Sequence, residues 1–146
     1  MASERPIHPD FEFLLSFKEQ GLIDLFCDLR EMVLDIYPNC NELLYHTHAL
    51  TATFSISEKL GDTFCMIPIY SKHLHLGFYR GTLLSDPDGL LTGTGKLIRH
   101  IAIQKPADYR NNKVKGLVWD AVAFSIKDMD KPPKMIGQTI SKIGGK

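Results

Sequence analysis

The chain lacks a charge excess of either sign: 17 Lys and Arg stand against 17 Asp and Glu in 146 residues. A nucleic-acid binder draws its affinity from basic side chains that displace counterions, so the balance argues against that class. Cysteine is scarce. Cys27, Cys40 and Cys65 are an odd number with no C-x-x-C, which supports neither a zinc ribbon nor a thioredoxin-like pair. Reduced, mostly buried thiols of a cytoplasmic protein are expected. No apolar run approaches the ~20 residues of a membrane span, and M-A-S-E-R-P-I-H-P-D lacks a signal-peptide core. Membrane association is therefore not expected. Gly (11) and Pro (8) are too few for a collagen or a linker. No G-x-S-x-G occurs, and no nucleophile, base and orienting acid can be matched by spacing. The chain is not expected to be an enzyme.

What is present reads as one folded domain, with 44% apolar and 23% charged residues. The charge is split along the chain: residues 1–80 hold 6 basic and 11 acidic side chains, residues 81–146 hold 11 and 6. Two halves that attract each other within one fold would account for this, as would one acidic and one basic face.

Periodicity places the elements. Pro9 and Asp10 open a helix over 10–19, which Gly21 breaks; Leu22, Leu25, Phe26, Leu29, Val33 and Ile36 mark a second helix over 22–36, stopped by Pro38. Alternation predicts strands at 50–57, 63–69, 73–79 and 97–103, the first three as an antiparallel meander. Val114, Leu117, Val118, Ala121 and Val122 give a helix within 108–126, with Asp108 as its cap. This order predicts an α+β two-layer sandwich: an N-terminal helix pair and a C-terminal helix on a curved, mainly antiparallel sheet of four to five strands, one face left open. The domain spans 1–128, and 129–146 reads as a loosely ordered tail.

Four patterns invite chemistry. G-L-L-T-G-T-G-K at 89–96 looks like a phosphate loop, but Leu90 stands where a Walker A glycine belongs and Leu97 where Ser or Thr belongs. What remains is a glycine loop (Gly93, Gly95) beside Lys96, Arg99 and His100. It is either an anion-binding concavity or a tight connection. D-P-D-G at 86–89 is a turn rather than a calcium loop.

Histidines form two i, i+2 pairs, His46/His48 and His73/His75. Were 46–56 one strand, the pairs would lie on opposite faces of the sheet. No carboxylate completes a two-His, one-carboxylate set. His73, His75 and His100 are therefore ligand-binding candidates on the open face, together with Gly93, Gly95, Lys96 and Arg99. Tyr79 on that face would fit a pocket or a homodimer seam.

Asp24, Asp28, Glu31 and Asp35 fall at i, i+4, i+7 and i+11, within ~60° of one helix face. Such a carboxylate ridge suits a hard cation such as iron, calcium or magnesium, and it equally suits a solvated outer face.

Across 38–124, P-N-C-N-E-L-L-Y-H, S-K-H-L-H-L-G-F-Y-R-G and G-T-G-K-L-I-R-H-I resemble the YdhG-like family of small bacterial domains of unknown function. The matching positions are Lys72, His73, Gly93, Gly95, Lys96, Arg99 and His100, whereas His48 and His75 lie outside the family pattern. The resemblance implies a helix pair on a curved antiparallel sheet. One relative is described as a frataxin-like intracellular iron chaperone, so it also implies iron as a cargo. Two functions follow: a non-enzymatic iron-binding module on the acidic ridge, or a module binding an anionic small molecule or a protein at the loop and open face.

Overall fold

A computed structural model describes residues 5–127 and 137–144. The element order is α1 (Pro9–Leu15), α2 (Gln20–Ile36), β1 (Asn41–His46), β2 (Leu50–Ser55), β3 (Thr63–Ile69), β4 (Leu74–Phe78), β5 (Arg99–Ile103), α3 (Asn112–Lys127) and β6 (Thr139–Ser141). The six strands form one sheet in the order β5-β4-β3-β2-β1-β6, antiparallel throughout except for β6, which runs parallel to β1. The fold is α+β, as expected, with the helices on one sheet face.

The core follows from alternation. Leu50, Ala52 and Phe54 of β2, Cys65, Ile67 and Ile69 of β3, and Leu74, Leu76 and Phe78 of β4 point to one face. There they meet Phe11 and Leu15 of α1, Phe26, Leu29 and Val33 of α2, and Val114, Val118 and Val122 of α3. Phe11 stacks on Phe26 with centroids 5.0 Å apart, which locks the helix pair together.

Several expectations need correction. The sheet has six strands, not four or five. The missing one on the N-terminal side is β1, where Asn41, Glu42, Leu43 and Leu44 are all buried, so no alternation shows. The other is β6, in the supposed tail: Glu42 donates its backbone N–H to the Gln138 carbonyl (2.9 Å) and Lys142 to that of Leu44 (2.8 Å). Residues 137–144 thus belong to the domain, and the remainder of the tail lies outside the described residues. Gly21 sits inside α2 and breaks nothing. Asp108 caps the short turn before α3, accepting from Gln104 and Lys105 N–H, while Asn111 Oδ1 accepts from Val114 N–H (2.9 Å) and caps α3 itself.

The three cysteines are free, Cys40 and Cys65 fully buried. Burial pushes the Cys40 thiol up to about 12, so it stays protonated. Among the described residues no helix is long and apolar enough to cross a membrane.

Candidate functional site

The sheet face opposite the helices carries the candidate residues. Tyr45 on β1 and Tyr79 just past β4 both project there, and two strands separate β1 from β4. Burial, and then the charge interaction with Tyr79, raise the Tyr45 phenol above its ordinary value.

Four rings gather at the β4–β5 end of this face. The chain turns at Tyr70, whose N–H donates to the His73 carbonyl (2.8 Å), and β4 then carries His75 outward. Antiparallel pairing puts His100 opposite Gly77, diagonal to His75. Gly77 has no side chain to keep them apart, and the imidazoles of His75 and His100 stack with centroids 4.1 Å apart and planes 10° from parallel. His73 lies 5.1 Å from His75, and Tyr70 lies 4.7 Å from His73 and 5.1 Å from His75.

The glycine loop closes over the outer edge of β5. Thr92 and His100 exchange backbone hydrogen bonds of 2.9 Å, and Thr92 Oγ1 stands 3.5 Å from His100 Nε2. Gly93 has φ +125°, and a Cβ there would sit 3.4 Å from both His100 Nδ1 and Arg99 Cδ. The positive φ, rather than crowding by the ring, is what favours glycine here. Arg99 Nε donates to the Gly95 carbonyl (3.2 Å), and Thr82 Oγ1 donates to that of Lys96 (2.8 Å). Tyr79, Gly95, Lys96, Leu97 and Ile98 line an adjoining open groove of about 290 Å³.

The structure therefore brings together His73, His75, His100 and Gly93, ties Arg99 at the head of β5 to Gly95 of the loop, and leaves the Lys96 side chain exposed beside it. His46 ends β1 opposite Leu50 and His48 lies in the β1–β2 turn, both exposed, so residues 46–56 are not one strand and the two do not form a same-face strand pair. Burial, then the neighbouring His100 and His73, hold His75 down to about 4. Neutral at pH 7, the His75 ring offers one N–H donor and one acceptor nitrogen. Ring lone pairs lie in the ring plane, so the stacked His75 and His100 point theirs in parallel rather than at a common ion. Among the described residues no group of three or more His, Cys, Asp or Glu side chains could hold a metal.

The acidic ridge is not a free row of carboxylates. Arg110 forks onto Asp28 (Nε to Oδ2 2.9 Å, Nη2 to Oδ1 2.8 Å), and the Tyr109 hydroxyl donates to the same carboxylate. The Arg110 guanidinium, hydrogen-bonded to Asp28, holds its carboxyl below the usual range. Asp24 accepts from Gln20 Nε2 (2.8 Å), Glu31 is half-buried and Asp35 is exposed. The helix thus has a compensating cation that its own sequence does not contain.

Two members of the candidate site had no signal in the sequence: Tyr70, which reaches the rings only through the turn, and Thr92, whose partner lies eight residues on. No family model, curated protein or solved structure matches this chain.

Proposed function

We propose that this chain is a non-enzymatic binding module that takes a small anionic molecule on its open sheet face, between His73, His75 and His100 and the Gly93–Lys96 loop. The charge of that face carries the reading. Strand alternation turns Thr51, Thr53, Met66, Pro68, His75, Gly77, His100 and Ala102 toward it, and no carboxylate is among them. Imidazole N–H groups, loop amides of the kind that form anion-binding concavities, and the nearby Lys96 and Arg99 supply donors and positive charge. Among the described residues the one carboxylate near the site is Glu19, which shares a groove with His73 at its far end.

The test is a calorimetric titration with sulfate and with inorganic phosphate at low ionic strength. Lys96→Ala with Arg99→Ala should weaken binding by about tenfold, and the difference should fade as added salt shortens the screening length. Affinity unchanged in the double variant would count against the site. Anaerobic ferrous iron, titrated into the same sample, tests the iron reading. The engagement of Asp28 with Arg110 weakens that reading. Saturable, iron-selective binding that vanishes when Asp24, Asp28, Glu31 and Asp35 are changed to Asn or Gln would replace the anion with iron.

A second reading, docking of a protein or a second copy, draws on one observation. Leu83, Leu97 and Ile98 are 54%, 47% and 45% exposed, and Leu97 is tied by its carbonyl to Thr82 N–H. Concentration-dependent sedimentation that Leu97→Asp abolishes would favour it.

A further inference from the structure

We propose that a small oxyanion enters this site together with a proton that settles on the His73–His75–His100 imidazoles, the anion supplying the counter-charge that the cluster lacks. The inference rests on the anion-binding reading and adds its coupling to pH. Its basis is the geometry of the rings. His75 is stacked on His100 at 4.1 Å and flanked by His73 at 5.1 Å, and these two imidazoles are the titratable groups that act on it.

The surrounding groups do not favour charging the cluster. From β3 comes Tyr70, and from the α1–α2 link comes Lys18, whose Nζ donates to the Tyr70 carbonyl (3.0 Å). From the loop comes Arg99, close to Gly93. At the start of α2, Glu19 shares a groove with Lys72 and His73. Among these neighbours Glu19 is the one carboxylate, at the His73 end and away from the His75–His100 stack.

A second positive charge on stacked rings is unfavourable when no anion is near. A bound dianion reverses that balance. It favours the imidazolium form, which presents two N–H donors per ring instead of one. The only bond formed is N–H on an imidazole nitrogen, and the proton comes from solvent. Binding and protonation then reinforce each other, so affinity must rise as pH falls.

Sulfate is the suitable probe, because it keeps its double charge across the range in which histidine titrates. Calorimetry of the full chain with sulfate, in two buffers of different ionisation heat at about pH 5, 6 and 7, reads proton uptake directly. The expected result is uptake that approaches one proton per sulfate at the acid end, with affinity rising by up to about tenfold per pH unit. His75→Gln and His100→Gln should remove most of that uptake. Proton NMR of the wild-type imidazoles should show His75 and His100 titrating at higher pH with sulfate than without it, and decides the matter even if a variant folds poorly. Sulfate that binds without proton exchange, or imidazole titrations that ignore it, would overturn the coupling and leave the anion site standing. No sulfate binding at any pH would remove both.

Discussion

At the scale of single residues, a buried ion pair outside the candidate site is held from several sides. Arg30 of α2 forks onto Glu42 of β1 (Nε to Oε2 2.7 Å, Nη2 to Oε1 2.9 Å), with side chains 8% and 2% exposed. Its remaining donors reach the carbonyls of Arg5 (3.1 Å) and Pro6 (3.2 Å), and Thr139 Oγ1 donates to Glu42 (3.1 Å). One pair thus ties the chain's start, a helix, a strand and the last strand together. Both charges are taken out of water, so breaking the pair is worse than never having had it. Arg30→Met should lower unfolding free energy by about 3–5 kcal/mol, and adding Glu42→Leu should recover much of that loss. Urea denaturation of the two variants checks it; equal stabilities would show that Glu42 finds another partner.

At the scale of elements, β6 shows how a backbone position supports a sheet. Gly137 precedes it with φ +67°, and a Cβ there would stand 3.1 Å from Arg5 Nη2 and 3.3 Å from the Pro38 carbonyl. Gly137→Ala should cost about 1–2 kcal/mol from the left-handed conformation alone. Amide exchange should quicken at Glu42 and Lys142, whose N–H groups join β1 to β6, while β4 keeps its protection. Uniform quickening across the sheet would mean that β6 is not a separable unit.

The same scale shows which elements could be read from the sequence. β2, β3 and β4 were legible because each alternates or is apolar, and α2 because its buried residues recur every three to four positions. β1 was hidden because both of its faces are covered, including a buried glutamate that looks like a surface residue until Arg30 is beside it. β6 was hidden because three residues pairing with a strand nearly a hundred positions earlier carry no periodicity of their own.

At the scale of the whole molecule, acid should act in two steps. His75 has its folded value depressed from 6.5 to about 4, so its neutral form is favoured by folding. That contribution is complete above the unfolded value and is lost as pH falls from 6.5 towards 4. Asp28 is also depressed, by Arg110 and Tyr109 after a smaller opposing effect of burial, and its contribution is lost only below 3.8. The denaturation midpoint should therefore decline first between pH 6.5 and 4 and again below. His75→Gln should flatten the first decline and spare the second. A first decline that persists in that variant would place its origin elsewhere. Sulfate should blunt the first step if protons and anions bind together.

The charge asymmetry of the two chain halves has one clear expression at this scale. Arg110, from the basic half, is fixed on Asp28, from the acidic half, 82 residues away. Local spacing determined the amphipathic helices, the meander and the α+β class, because burial of one face of a helix or strand writes its period into the nearest neighbours. It also singled out the glycine loop and the histidines. Tertiary structure alone decided which of these meet. Strand register set His100 diagonal to His75 across a glycine, a turn brought Tyr70 to His73, and α3's approach gave Asp28 to Arg110. Those contacts depend on distances between residues far apart in the chain, and no local period encodes them.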